Sequence, residues 1–284
     1  MDNLHLRTSW LLILLILIIQ PGNLWGKSNS EDADKVYSIG VVPQKKKMTL
    51  YKNWNLIMKE LTRVSGVRLS LRLSQNIPVF ENEFKKGDFD FAYMNPYHAL
   101  MAEEAVGYTP LIRDINKKLF GILVVKKNST IKSPKDLNGQ DIAFPAPNAL
   151  AASLMIRAAL TDEFNIKIKP YYVNTHSSVY LNVATGIMVA GGGVQKTLAQ
   201  QSGDLKDNLK VLYRTISVTP HPFVAHPRVP LEIQNKIKKA FIQMNDSAKG
   251  RGLLGLIPIK EAGEASLKEY ESLKELRLER FVEE

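Results

Sequence analysis

Apolar and polar positions fall in short blocks along most of this chain, and the blocks switch between a period of two and a period near 3.6. Residues 36–42 (VYSIGVV) are rich in β-formers and stop at Pro43, which predicts a first strand. Over 53–64, Trp54, Ile57, Met58 and Leu61 share one face of a helix that Gly66 closes. Residues 67–73 alternate as a second strand, 79–86 predict a short helix ended by Gly87, and 89–93 a third strand broken at Asn95-Pro96. Pro96 suits the start of a helix over 97–105, because a missing N–H costs nothing there. Residues 109–112 and 119–126 read as further strands.

A change of unit is expected near Lys126. Residues 131–139 predict a helical turn with a glycine exit, 140–144 a strand stopped by Pro145-Ala146-Pro147-Asn148, and 149–160 a helix of strong propensity. Residues 166–173 and 209–216 read as strands, 223–225 as a short extended piece, and 232–244 and 265–276 as helices. The interval 250–263 reads as loop with a small apolar patch, and no internal repeat is visible.

The stretch 174–194 stands out. A polar cluster, Asn174-Thr175-His176-Ser177-Ser178, precedes a helical pattern carried by Val179, Val183, Ile187 and Ala190. Small hydroxyl residues before an apolar-periodic run form a helix start. The first N–H groups of a helix lack internal partners and lie at the positive end of the dipole, so they suit an anion. His176 and the two serines add side-chain donors. Gly191-Gly192-Gly193 is then expected to lead the chain out of the helix. An ordinary capped helix followed by a glycine turn explains the same residues.

Strands alternating with helices predict an α/β architecture with largely parallel sheets. Ligands of such sheets sit beyond the carboxyl ends of strands. The segments after Val42, after Tyr93 and at His176 occupy that position.

Composition narrows the reading. The 284 residues are 45% hydrophobic, enough for one large domain or two lobes with real cores. The formal charge of +10 favours anionic partners, yet the basic residues are scattered and not interleaved with aromatics, which argues against nucleic acid. At the start, His5 and Arg7 precede an apolar run from Trp10 to Ile19, then Gln20-Pro21-Gly22 and a cut after Leu24-Trp25-Gly26. This pattern predicts a secretory signal over 1–26, with an uncleaved anchor as the rival because Leu24 fits the small-residue rule poorly. The absence of cysteine excludes disulfides, thiol catalysis, cysteine metal sites and a cysteine lipid anchor. An exported protein of this kind suits a bacterial periplasm. No G-x-S-x-G, P-loop or H-E-x-x-H occurs, so no enzyme, metal or cofactor is expected. A metal site built from His176, His221 and His226 lacks both the spacing and the carboxylates.

The run Asp90-Phe-Ala-Tyr-Met-Asn-Pro-Tyr-His-Ala-Leu100 resembles the D-x-A-x-x-x-P motif of PhnD-like periplasmic binding proteins, which serve phosphonate, phosphite and phosphate ABC transporters. Residues 132–139 resemble that family's S-x-x-D-L-x-G turn. Phe144-Pro145-Ala146-Pro147, Thr175-His176-Ser177-Ser178 and Pro220-His221-Pro222 follow in family order. The resemblance runs from about Val36 to the C-terminus. It implies a type II two-lobed fold, α/β in class, with lobe one over 36–125 completed by 219–284, lobe two over 126–218, and a ligand held in the cleft by hinge closure.

Carried over by position, Tyr93 matches a ligand-facing aromatic and His176 a donor to phosphonate oxygens. Tyr51 lies near a second aromatic position, and Asn95, Asn148, Ser177 and Ser178 border these segments. The chain also departs from the pattern. Ala149-Leu150-Ala151 replaces a Ser-Thr-Ser helix start, leaving the backbone N–H groups of Ala149 and Leu150, and Val189 stands where an acid is common. The resemblance implies a monomer that delivers a small anion to a membrane permease and does no chemistry. A receptor feeding a sensor kinase, or one with a non-phosphorus ligand, is the alternative. Intact mass of exported material should show loss of the segment ending near Gly26; a full-length species found only in the membrane fraction would establish the anchor instead.

Overall fold

The computed structural model describes residues 35–283, so the signal expected over 1–26 lies outside them. Among the described residues the strands are β1 (Val36–Val41), β2 (Arg68–Arg72), β3 (Phe91–Tyr93), β4 (Thr109–Asp114), β5 (Gly121–Lys126), β6 (Asp141–Phe144), β7 (Lys169–Tyr172), β8 (Ala190–Val194), β9 (Leu209–Arg214), β10 (Phe223–Ala225) and β11 (Ala262–Glu264). They form two mixed sheets, ordered β11-β4-β10-β3-β1-β2 and β7-β6-β8-β5-β9. In the first, β1 pairs in parallel with β2 and β3, while β10 runs antiparallel between β3 and β4. In the second, β6 is parallel to β7 and β8, and β5 is antiparallel to β8 and β9.

Helices cover both sheets. The helix Lys47–Ser65 buries Trp54, Ile57 and Leu61 in the first core, as its periodicity predicts. Strand β5 alternates across the second sheet: Leu123 and Val125 pack with Phe144, Ile156 and Leu160, whereas Ile122 and Val124 pack with Tyr180, Val183 and Leu198. A strand buried on both faces reads as a continuous apolar run. Its pattern therefore does not reveal which sheet it joins. The expectation that the first lobe runs on to Val125 is corrected here, since β5 lies inside the second sheet.

The chain instead crosses between sheets slightly earlier. Leu119 and Val218 exchange backbone hydrogen bonds, N–H to O=C at 2.8 and 2.7 Å. This antiparallel pair joins the outgoing and returning crossings. The C-terminal segment then lies across both halves. Tyr270, Leu273 and Leu278 pack with Leu100 of the first half and with Leu154 and Met155 of the second. Arg113 pairs with Glu269, and Arg280 with Asp162 at 2.7 Å.

The glycine run is not a turn. The helix begun at His176 stops at Gly186, whose φ of +83° suits a residue without Cβ, and Ile187 is left 71% exposed. Ala190–Val194 is instead β8, central in the second sheet. Each glycine there permits a close approach. A Cβ on Gly191 would meet Val179 at 2.4 Å, one on Gly192 the Ala152 carbonyl oxygen at 2.0 Å, and one on Gly193 the Tyr180 hydroxyl at 2.2 Å. Two smaller readings also change. The interval expected as loop contains the helix Ala248–Leu256, capped by Ser247, and the helix expected over 149–160 opens with a π-helical turn, Leu150–Leu154, before Met155–Asp162.

Gly192→Ala is expected to cost about 3 kcal/mol or more, because a backbone carbonyl yields little. Gly203→Ala, where a Cβ meets nothing within 4 Å, should move stability by less than about 1 kcal/mol. Urea midpoints of the two variants check the contrast.

Candidate functional site

Strands of both halves end or begin at one cavity of about 170 Å³. From the first half, Gln44 and Lys45 follow β1, Tyr93 and Asn95 end and follow β3, and Pro220 and His221 precede β10. From the second, Pro145 follows β6, Asn174 and His176 follow β7, and Gln195 and Lys196 follow β8. The crossing contributes Lys117, Lys118, Leu119 and Phe120. The three segments expected beyond strand ends thus meet, as the sheet topology requires.

Helix starts supply much of the second wall. The turn at Leu150–Leu154 has no side-chain cap, and Ala149, Leu150, Ala151 and Ala152 all line the cavity. Its first N–H groups have no acceptor within the helix. Two glycines seat it: a Cβ on Gly121 would lie 2.0 Å from the Ala151 oxygen, and one on Gly192 the same distance from that of Ala152. His176 opens the helix His176–Thr185, and Thr175 Oγ1 caps it by accepting Ser178 N–H at 3.0 Å.

Tyr93 is 3% exposed, stacks on His221 with centroids 5.6 Å apart and leans on Trp54 at 5.2 Å. Burial pushes its phenol well above the usual range, so it stays a neutral hydroxyl. Gln44 Nε2 donates to His221 Nε2 at 2.8 Å, an arrangement that needs the neutral ring. Asn95 Oδ1 accepts His98 N–H at 2.8 Å and so caps the helix Pro96–Val106.

Burial holds His176 down at about 4 and His221, with further repulsion from His98 and His176, at about 3. Part of His176 stays open, but its Nδ1 is sealed without a protein partner. Lys196 keeps an exposed stem, yet desolvation and the neighbouring charges of Lys117 and Lys45 bring its ammonium down to about 8, with Asp114 opposing. Lys117 pairs with Asp114 at 3.4 Å. Among the described residues no carboxylate lines the cavity.

Of the residues expected at the site, Tyr93, Asn95, Ala149, Leu150 and His176 line this cavity and four others do not. Tyr51 is 52% exposed on the outer side of its helix. Ser178 belongs to the Thr175 cap, and Ser177 is exposed outside the lining. Asn148 is buried and its amide is fully engaged: Nδ2 donates to Glu81 Oε2 and the Glu283 carbonyl, both at 2.9 Å, and Oδ1 accepts Glu283 N–H at 3.0 Å. Among the histidines, His221 joins His176 at the cavity, whereas His226 packs edge-on against Tyr108 and accepts Arg228 N–H. Sequence reasoning missed Gln44, Lys117, Lys118 and Lys196. The loop after β1 was indicated by its position, but nothing local marks the three lysines.

Comparison with known proteins agrees with this geometry. A family model described as "ABC transporter, phosphonate, periplasmic substrate-binding protein" matches residues 39–270. A probable ABC transporter phosphite binding protein, PhnD1, from Prochlorococcus marinus (strain MIT 9301) is 22% identical over 264 residues, covering 85% of this chain and 89% of that one. The solved structure of PhnD1 in complex with methylphosphonate superposes with a TM-score of 0.77 at 20% identity, over 87% of this chain and 99% of that one. A binding protein component of an ABC phosphonate transporter from Pseudomonas aeruginosa gives 0.76 at 14% identity, over 87% of both chains. The fold is that of two-lobed, type II periplasmic binding proteins. Helix starts and lysines converging on a cleft between two such lobes, together with a family match spanning most of the sequence, establish that this chain belongs to the phosphonate substrate-binding proteins of periplasmic ABC transporters.

Proposed function

We propose that this protein captures a small phosphorus oxyanion between its lobes and hands it to a membrane permease without chemical change. The observation that carries this reading is a cavity lined by uncapped helix N–H groups, His176, Tyr93 and several lysines with no carboxylate among its walls. The first lobe comprises the strands up to β4 and returns after the Val218 crossing; the second holds β5 to β9. The chain works in the periplasm after loss of its N-terminal signal and acts as a monomer.

Ligand preference follows from what the walls lack. The Ala149 N–H already donates to the Ala146 carbonyl at 3.4 Å, so this helix start offers the backbone donors of Leu150 and Ala151 and otherwise apolar surface. The Thr197 hydroxyl is engaged by the Val194 carbonyl and by Tyr180. An ammonium group on the ligand would face lysines with no carboxylate beside it. Simple aminoalkylphosphonates therefore bind weakly, and the natural ligand is a different oxyanion or a larger, partly apolar one.

In a thermal-shift panel, a native-state ligand raises the melting point. Methylphosphonate or phosphite should stabilise more than 2-aminoethylphosphonate; strong stabilisation by the amine at micromolar concentration would sink this preference. His176→Ala should weaken binding by about tenfold or more, since a hydrogen bond to a charged group contributes about 1.5–3 kcal/mol. Unchanged affinity in calorimetry would remove His176 from the site.

The neutral histidines also set an acid limit. His176 and His221 ionise near 6.5 when unfolded but near 4 and 3 when folded, so between these values the unfolded chain binds more protons. Stability should fall as pH drops from about 6.5 towards 4. His221→Gln should flatten that slope; an unchanged slope in melting temperature against pH would show that His221 is not buried neutral.

A further inference from the structure

A second cavity, of about 540 Å³, adjoins the first. Lys117 and Lys196 line both, and the neighbours Pro258 and Ile259 line one each. The remaining walls come from the C-terminal part of the chain: Arg251, Lys260, Asn245 and Glu261. Four cations therefore surround this space. Its one carboxylate, Glu261, already accepts from Asn116 Nδ2. Asp114 offsets Lys117 at 3.4 Å, but Lys196 and Lys260 make no ion pair among the described residues. Arg251 is held in place by donating to the Asn245 carbonyl at 2.6 Å. Asn245 in turn clasps β11 through both main-chain groups of Ala262, at 2.7 and 3.0 Å. The guanidinium is thus presented from a fixed base.

A single phosphonate head at the helix starts and His176 of the first cavity would reach Lys117 and Lys196 at most, and would leave Arg251 and Lys260 with nothing to neutralise. We propose that the two cavities form one extended anion site. Its ligand is a phosphonate or phosphate monoester that carries a second anionic group, a carboxylate or a second phosphoryl. The head lies in the first cavity. Lys117 and Lys196 flank the link, and Arg251 and Lys260 bind the distal group. This rests on the reading of the first cavity as an oxyanion site and adds the class of ligand that fills it. The lowered affinity of Lys196 for its proton fits the same picture, because desolvation first, and then the like charges of Lys117 and Lys45, disfavour its ammonium until an anion arrives.

Calorimetry of the mature protein with propylphosphonate and 3-phosphonopropionate tests both layers. The two share a head and chain length and differ in the terminal carboxylate. The expected result is binding of both, with 3-phosphonopropionate tighter by about tenfold or more, the effect of one hydrogen-bonded charge pair. Methylenebisphosphonate should share the gain if the distal site takes a phosphoryl, and lack it if only a carboxylate fits. Lys260→Ala and, separately, Arg251→Gln should erase most of the gain while leaving the propylphosphonate affinity unchanged. Both positions are exposed, so the folded state tolerates either change. Equal affinities for propylphosphonate and 3-phosphonopropionate, or a gain untouched by both substitutions, overturn the extended site while the first cavity stands. Failure of every phosphorus ligand to bind overturns the proposed function and the extended site together.

Discussion

The close approach of backbone to backbone at β8 is the constraint on which the second lobe rests. Three consecutive glycines let the helix His176–Thr185 settle on one face of the strand and the turn Leu150–Leu154 on the other. Side chains on β8 would collide with both elements, since each added Cβ would lie between 2.0 and 2.4 Å from its nearest neighbour. The uncapped N–H groups and His176 would then no longer face one cavity. The loss of side-chain packing on β8 is offset by Tyr180, whose hydroxyl donates to the Val194 carbonyl and accepts Val194 N–H. The strand that looks least informative in composition thus decides where the donors stand.

The first lobe solves the same problem with bulk in place of its absence. Trp54, Tyr93, Phe91, Phe223 and Phe241 form a chain of ring contacts between 4.8 and 6.3 Å beneath the cavity floor. Tyr93 is the end of that chain, so its hydroxyl is positioned by a rigid stack and not by a loop. Asn148 and Glu81 add a buried polar contact between the halves, and the C-terminal segment closes over it through Glu283.

Much of this was legible in the sequence wherever local rules govern. Helix starts at Pro96 and at the Thr175 cluster, the Gly66 exit, and the meeting of strand ends at one site follow from capping chemistry and α/β topology. What escaped depends on contacts far apart in sequence. The role of Gly191-Gly192-Gly193 is set by Ala152, Val179 and Tyr180, and a glycine run carries no mark of which neighbours press on it. The sheet that β5 joins is set by pairing with β8 and β9, not by its own pattern. Asn148 had the right residue type for a ligand contact, but its amide is consumed by Glu81 and Glu283. Lys117 and Lys196 are ordinary basic residues until the fold brings them to one cavity.

The exchange of hydrogen bonds between Leu119 and Val218 acquires a mechanical meaning once lever arms are considered. Lys117 and Lys118 precede that pair by one or two residues, and Pro220 and His221 follow it by two or three. If the lobes turn about this axle, groups beside it sweep through small arcs and meet the ligand almost equally well in open and closed forms. Groups on long radii, such as Lys45 on one rim and Gln195 on the other, change their distance most. Only a difference in affinity between two states shifts their balance. On that geometry the near-axis lysines would act as ballast, raising affinity in both states, while the torque that shuts the cleft would be exerted at its rims.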